Sequence, residues 1–137
     1  MDGWHTLTIQ SVTENIRDIE EALCEALNKA DFPENDIFAV RLALDEALAN
    51  AIKHGNHYDA TKLVSVKYRL TDGGITIVVK DEGAGFNYEN LPDPTLPDRL
   101  ELPSGRGLLL MRSYMDTISF NAKGNEVTMV KGRGKST

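Results

Sequence analysis

The stretch Glu46-Ala-Leu-Ala-Asn50-Ala-Ile-Lys53-His54-Gly55 decides the predicted fold, because it ends a helix that has one polar and one apolar stripe. At about 100° per residue, Glu46, Asn50 and Lys53 share one face of this helix. The apolar stripe predicts the face that packs on a sheet, and it consists of Ile37, Val40, Leu44, Leu48 and Ala51. Gly55 suits the left-handed position after a helix, so we predict that the helix ends there.

The polar stripe has two interpretations. It can be an ordinary solvated helix face. It can also be a site, because small residues such as Ala39, Ala43 and Ala49 flank it and asparagine disfavours a merely solvated helix interior. In a site, the Asn50 amide oxygen can bind a hard cation such as Mg²⁺. Glu46 can then accept a proton as general base, and Lys53 can reach a phosphate.

A second patch, Asp81-Glu82-Gly83-Ala84-Gly85-Phe86, directly follows a predicted strand over 75–80. The Asp81 carboxylate can accept a hydrogen bond from an exocyclic amine such as that of adenine. Gly83 and Gly85 leave room for a planar base and for unusual backbone angles. An aspartate- and glycine-rich turn after a strand is common, so this patch alone is weak evidence for a site.

The third patch, Ser104-Gly105-Arg106-Gly107, precedes a helical apolar pattern over 108–115. Free backbone N–H groups at a helix start can bind phosphates, although an ordinary glycine-rich helix entry has the same sequence. Between the second and third patches, residues 86–104 lose all periodicity and contain Pro92, Pro94, Pro97 and Pro103. A loop of this length in a small domain is usually functional or disordered.

The remaining pattern predicts the rest of the fold. Leu7 and Ile9 mark a first strand, and Ser11-x-x-Glu14 is a capping-box signature for an amphipathic helix over 13–30. Alternating residues over 64–79 predict a hairpin around Asp72-Gly73-Gly74, and a second hairpin over 118–129 closes the chain. We therefore predict an α+β fold, a two-layer α/β sandwich in which helices cover one face of a mixed β-sheet.

Size and charge limit the possible functions. The 137 residues predict a single domain spanning 1–137, and a net charge of −6 argues against nonspecific nucleic-acid binding. Neither an 18-residue apolar run nor a leader pattern occurs, so we expect no membrane span and a cytoplasmic location. Cys24 is the one cysteine, which excludes an internal disulfide and predicts a packing role.

The order and contexts of the three patches resemble the anti-sigma-factor serine kinase family, within the histidine kinase-like (GHKL) ATPases. The resemblance runs from Leu7 to Lys131. It implies the Bergerat ATP-binding fold, ATP and Mg²⁺ as cofactors, and residues 86–104 as the ATP lid. It also implies that Asn50 ligates Mg²⁺, that Glu46 is the base and that Asp81 recognises adenine. The predicted nucleotide-binding set is Asn50, Lys53, Asp81, Gly83, Gly85, Gly105 and Gly107, and the predicted catalytic pair is Glu46 and Arg106.

The resemblance further implies a regulatory serine/threonine kinase. Such a protein binds a sigma factor, phosphorylates a small antagonist (an anti-anti-sigma protein) in a partner-switching circuit, and is typically a homodimer. Kinase members often carry an arginine just before the third patch, where this chain has Pro103. Arg106 or Arg99 can substitute for it. The alternative is a nucleotide-controlled binding module of the same fold with little or no kinase activity.

Overall fold

A sheet and a layer of helices make up the protein in the computed structural model, which describes residues 3–83 and 105–134. The five strands are β1 (His5–Gln10), β2 (Leu63–Thr71), β3 (Gly74–Lys80), β4 (Thr117–Phe120) and β5 (Glu126–Gly132). They are ordered β1-β2-β3-β5-β4 across the sheet. Both predicted hairpins are present, and so is the first strand.

All pairings within this sheet are antiparallel, which corrects the expectation of a mixed sheet. β3 and β4 run in the same direction, as strands joined through a helix often do. They do not pair, however, because the tight β4–β5 hairpin inserts β5 between them. The α+β class and the two-layer arrangement are confirmed.

The helices are a 3₁₀ turn at Thr13–Asn15, α1 (Ile16–Lys29), α2 (Glu34–Asn50) and α3 (Gly105–Tyr114), with a π-helical turn at Ala51–Gly55 directly after α2. Among the described residues, no helix is long and apolar enough to cross a membrane. π-helical turns are rare and occur frequently at functional sites. Here the turn carries Lys53 and His54.

The core lies between the helices and one face of the sheet. Alternate residues of β2 and β3, such as Val64, Val66, Ile75 and Ile77, are buried against α1, α2 and α3. The other face of β2 presents exposed Lys67. Helix α2 buries more than the predicted stripe, because Ala39, Ala43 and Ala47 are also buried where α3 packs against it. The polar stripe of α2 therefore does not lie on an open surface.

Two local expectations about helix ends need correction, the Ser11 cap and a left-handed Gly55, although the helical segment does end at Gly55 as predicted. Ser11 does not cap a helix: its hydroxyl donates to Lys62 O at 2.7 Å, and the first helical turn has no side-chain cap. Gly55 is not left-handed. The positive φ angles fall instead at His57 (φ 52°) and Tyr58 (φ 60°), because the π-helical turn moves the reversal of the chain two residues further on.

The first turn of α2 is fastened to the end of β5. Asp36 is buried, its Oδ2 accepts the Gly134 N–H at 2.7 Å, and Lys131 Nζ lies 4.0 Å from its Oδ1. Arg133 donates to the carbonyls of Ala30 and Asp31 at 3.0 and 2.7 Å. These contacts fix the start of the helix whose other end carries Glu46 and Asn50.

Candidate functional site

A small cavity lies where the end of α2, the end of β3, α3 and the β4–β5 turn meet. Its lining includes Asn50 from α2, Asp81 after β3, Met111 from α3 and Asn125 from the turn. The enclosed volume is about 20 Å³, the scale of a single water molecule. Two residues from separate sequence patches, Asn50 and Asp81, are thus brought to one place.

Asn50 contributes a buried amide to this cavity. The residue is 8% exposed, yet its side chain has no hydrogen-bond partner within residues 3–83 and 105–134. The amide lines the cavity, so it is available to a ligand that enters there. An amide oxygen is a ligand type that Mg²⁺ accepts, and the residue present therefore fits the expected cation.

Asp81 also lines the cavity, directly after β3. Its Oδ1 accepts the Gly83 N–H at 2.8 Å, and its own backbone N–H donates to Asn125 O at 2.9 Å. Burial raises the pKa of the Asp81 carboxyl, and the Gly83 N–H opposes that rise. Oδ2 remains as an acceptor, so the side chain is fixed in orientation and can still receive a hydrogen bond from a ligand.

Gly55 and Gly83 allow the π-helical turn and the Asp81 turn to touch. A Cβ on Gly55 would lie 2.3 Å from Asp81 Cγ, and a Cβ on Gly83 would lie 2.1 Å from Gly55 O. The space that Gly83 provides is therefore used for the Gly55 carbonyl. This chain-to-chain contact brings Asp81 against the end of the Asn50 helix.

Glu46 and Lys53 flank Asn50 along the chain. Glu46 is half-buried one helical turn before Asn50, and burial, followed by the charge of Asp45, raises the pKa of its carboxyl. Lys53 is exposed in the π-helical turn. Neither Glu46 nor Lys53 lines the cavity that holds Asn50 and Asp81. A carboxylate with a raised pKa can act as a general base, since its basicity moves toward neutral pH.

The third patch lies at the start of α3. The helix begins at Gly105, so Gly105, Arg106 and Gly107 form its first turn, as predicted. α3 packs along α2, and its Met111 lines the cavity. Gly85 and the proposed lid over 86–104 lie outside the described residues.

Two asparagines near Asp81 were missed by sequence reasoning. Asn125 lines the cavity, and its Nδ2 donates to Asp81 O at 3.3 Å. Asn56 is fully buried and accepts the Glu82 N–H at 2.8 Å. Asparagine after glycine is typical of any turn. The sequence signal for these two residues is therefore only their position directly after Gly55 and Gly124, which does not distinguish a site residue from an ordinary turn residue.

A pair of carboxyl groups lies between α1 and α2, and one of them, Asp45, is next to Glu46 in the sequence. Glu20 of α1 faces Asp45 of α2 beside a groove of about 200 Å³ that Arg41 also lines. Burial first, then the charge of Asp45 and a hydrogen bond to it, raise the pKa of Glu20 from 4.5 to about 7, while Arg41 opposes the rise. Near neutral pH the Glu20 carboxyl is therefore partly protonated, and its protonated form can donate a hydrogen bond to Asp45.

We expect Glu20→Gln to stabilise the protein at pH 8 but not at pH 5. The raised pKa means that protonated Glu20 contributes stability that is complete below pH 4.5 and is lost as the pH rises through about 7. Glutamine keeps a hydrogen-bond donor toward Asp45 at every pH. Urea denaturation should show a gain of about 1 kcal/mol at pH 8, smaller than the full shift implies because solvent screens the pair.

The control for this prediction is Glu21→Gln, the same change at the adjacent exposed residue. It should leave the difference in unfolding free energy between pH 5 and pH 8 as in the unaltered protein. An equal gain from Glu20→Gln at both pH values would show that the folded protein does not raise the pKa of Glu20.

Comparisons with known proteins agree with this arrangement. Residues 9–131 match the family model described as the histidine kinase-like ATPase domain. The anti-sigma F factor of Oceanobacillus iheyensis is 29% identical over 136 residues, which are 96% of this chain and 93% of that protein. The anti-sigma F factor of Geobacillus stearothermophilus is 31% identical over 98 residues, or 70% of this chain and 67% of that protein.

A solved structure is similar in fold. It contains the RsbU and RsbW domains of Rv1364c from Mycobacterium tuberculosis, and it aligns with a TM-score of 0.66 at 18% identity. The alignment covers 96% of this chain and 32% of that longer one, and at this identity it supports the fold alone. The chain belongs to the histidine kinase-like ATPase domain family, and its similarity to anti-sigma F factors along most of its length places it with the anti-sigma-factor members of that family.

Proposed function

We propose that this protein is an ATP-binding anti-sigma factor that acts as a serine/threonine kinase. It binds Mg²⁺-ATP, binds a sigma factor, and phosphorylates a small antagonist protein in a partner-switching circuit. The whole chain, 1–137, forms one ATPase domain, with residues 86–104 as its lid. The relatives are named anti-sigma F factors, which supports a sigma factor as one partner.

One observation carries this proposal: the cavity that joins Asn50 and Asp81. Its chemistry, rather than its volume, indicates the ligand. A fixed carboxylate acceptor suits an exocyclic amine, and an unpaired amide suits a metal bound to phosphates. An adenine nucleotide contains both an exocyclic amine and phosphates that bind a metal.

Each predicted site residue has a role in this proposal. Asp81 binds the adenine amine, and Gly83 and Gly85 shape its turn. Asn50 would hold Mg²⁺, which when bound neutralises charge on the phosphates and orients them. Lys53 and the first turn of α3, with Gly105 and Gly107, bind phosphate oxygens.

In phosphotransfer, Glu46 takes the proton from the attacking serine hydroxyl of the antagonist. Arg106 stabilises the charge that develops on the γ-phosphate. The half-buried position and raised pKa of Glu46 support its role as the base. A second candidate function is a binding module in which nucleotide only sets partner affinity, and Pro103 in place of an arginine favours that alternative.

The remaining features of the proposal concern partners and location. The acidic net charge of −6 supports protein partners over nucleic acid. We propose a homodimer acting in the cytoplasm. Sedimentation of the purified chain with and without ATP tests the dimer separately from the nucleotide site.

Incubation with labelled Mg²⁺-ATP and candidate antagonist domains from the same genome tests the function. Label on an antagonist serine supports the kinase. Nucleotide-dependent sigma binding without labelling of any antagonist favours the binding module. Absence of nucleotide binding by calorimetry would overturn both.

We expect Asn50→Ala to weaken ATP binding about tenfold in Mg²⁺ and very little in EDTA, because the lost oxygen contacts the metal rather than the base. Calorimetric titrations under both conditions measure this difference. Asn28→Ala, an exposed asparagine on α1, serves as the matched control and should change neither affinity. An equal loss with and without Mg²⁺ would remove Asn50 as a metal ligand.

A further inference from the structure

A buried hydrogen-bond network is centred on Asn56, which directly follows the π-helical turn. The residue is 0% exposed. Its Nδ2 donates to Ser11 Oγ at 2.7 Å and to Leu63 O at 3.1 Å, and its Oδ1 accepts the Glu82 N–H at 2.8 Å. One amide therefore links the end of β1, the start of β2 and the turn after β3.

The Asp81 turn is held from two sides. On one side, the Asn125 carbonyl accepts the Asp81 N–H at 2.9 Å, and Asn125 Nδ2 donates to the Asp81 carbonyl at 3.3 Å. On the other side, Asn56 accepts the Glu82 N–H, and the Glu82 carboxylate accepts the Leu63 N–H. The peptide between Asp81 and Glu82 is thereby fixed, and with it the direction of the Asp81 carboxylate.

The backbone around Asn56 is unusual in a way that favours a functional role. His57 and Tyr58, the next two residues, both have positive φ angles, at 52° and 60°. Non-glycine residues adopt this conformation only where their surroundings impose it, and such residues cluster at binding sites. Strands β1 and β2 do not need this network to stay together, because a backbone hydrogen bond from Ser11 N to Lys62 O, at 3.2 Å, already joins the segments beside them.

The chemistry of the network specifies an amide at this position. Two partners, Ser11 Oγ and Leu63 O, accept hydrogen bonds, and one partner, the Glu82 N–H, donates one. Ser11 Oγ is committed as a donor to Lys62 O, so it can only accept from residue 56. Asparagine supplies two donor hydrogens and an acceptor on one short side chain.

We propose that Asn56 is a positioning residue for nucleobase selectivity: it sets the Asp81 carboxylate in place to accept the exocyclic amine of adenine. The inference rests on the proposed function, in which Asp81 recognises adenine. Asn56 touches no ligand. It acts through the Glu82 peptide, so its loss should reduce discrimination between bases more than it reduces general affinity for a triphosphate.

The test compares ATP with inosine triphosphate, in which a carbonyl oxygen replaces the exocyclic amine. We expect the unaltered protein to bind ATP about 10- to 150-fold more tightly than inosine triphosphate, as measured by calorimetry in Mg²⁺. In Asn56→Ala this ratio should fall about tenfold. Partial unfolding of the variant would lower both affinities equally, so the ratio separates positioning from stability.

Two further variants make the result decisive. Ser11→Ala removes a different link of the same network and leaves the Glu82 contact, so it should keep the ratio. Asn56→Ser leaves a hydroxyl that can donate to one of the two acceptors but is one bond shorter than the amide and does not reach the Glu82 N–H, so it should lose the ratio as Asn56→Ala does, even where Asn56→Ala is too unstable to purify. Retention of the ratio in either Asn56 variant, or its loss in Ser11→Ala, would overturn the inference.

The outcome for the unaltered protein separates this inference from the proposed function. If it binds neither nucleotide, or binds both equally, the assigned role of Asp81 fails and the inference fails with it. If it prefers ATP and Asn56→Ala prefers ATP by the same ratio, the proposed function stands and only the role of Asn56 is wrong.

Discussion

Glu46→Gln is expected to lower phosphorylation of the antagonist by about 10² to 10⁴ while leaving Mg²⁺-ATP affinity unchanged. Glutamine matches the size of glutamate but cannot accept the proton of the attacking hydroxyl. The side chain lies one helical turn before Asn50, so the base and the proposed metal ligand belong to one face of α2. Single-turnover labelling of a serine, with affinity measured separately by calorimetry, distinguishes loss of chemistry from loss of binding.

Glu25→Gln is the matched control for this variant. It makes the same chemical change on α1, where Glu25 is exposed and pairs with Lys29 at 3.0 Å. Exposed pairs of this kind contribute little, so both rate and affinity should stay as in the unaltered protein. Phosphorylation by Glu46→Gln at the normal rate would show that another group is the base.

The pH dependence of the rate provides a second measure of Glu46. Burial and the neighbouring Asp45 raise its pKa above the ordinary value of 4.5. A base must be deprotonated to act. The phosphorylation rate should therefore reach its maximum above this raised pKa and should fall as the pH drops through it. The fall should begin at a higher pH than an ordinary glutamate would give.

Strands and helices with regular periodicity were predictable from the sequence. Residues 64–79 alternate in polarity around Asp72-Gly73-Gly74, and they form β2 and β3 with the turn between them. The apolar pattern after Gly105 likewise becomes α3. In both segments the local pattern and the tertiary packing favour the same structure, which is why local reasoning was sufficient.

Residues that respond to distant partners were not predictable. The Ser11-x-x-Glu14 pattern favours a helix cap, but Ser11 instead bonds Lys62 and Asn56, which are far away in sequence. Gly55 ends the helical segment as predicted, but the sequence does not show that a side chain there would meet Asp81. Only the fold brings these groups together, so the competing interaction could not be seen along the chain.

The sequence proposes residue types for a candidate site, and the structure adds geometry that no local pattern shows: Asn50 and Asp81 line one cavity. Glu46, Asn50 and Asp81 were identified because their chemistry is complementary. The burial of Asn50 was unexpected on a polar stripe, and it arises because α3 packs across that face of α2. A mixed sheet was expected, but all pairings in the sheet are antiparallel. The strand order depends instead on the β4–β5 hairpin, whose position no local pattern reveals.

Asp81→Asn is expected to weaken ATP binding by about 1.5 to 3 kcal/mol, or roughly 10- to 150-fold, the range for a hydrogen bond to a charged group. In Asp81→Asn the side-chain NH₂ can point at the adenine amine. Two donors then face each other, and no hydrogen bond forms between them. The site cannot readily adapt, because the Gly83 N–H and the neighbouring Gly55 hold this side chain in one orientation. Calorimetry with ATP in Mg²⁺ measures the loss directly.

Two comparisons show whether the loss comes from the base. Asp72→Asn makes the same change in the exposed turn at the other end of β3 and should leave ATP affinity unaltered. Inosine triphosphate has a carbonyl oxygen in place of the amine, so its affinity should not fall in Asp81→Asn and should rise where the new NH₂ donates to that oxygen. Because burial raises the pKa of Asp81, acidification should also weaken ATP in the unaltered protein as the carboxylate takes up a proton. Equal ATP affinity in Asp81→Asn and the unaltered chain would remove Asp81 from the base-binding wall, and the adenine would have to lie elsewhere along the cavity.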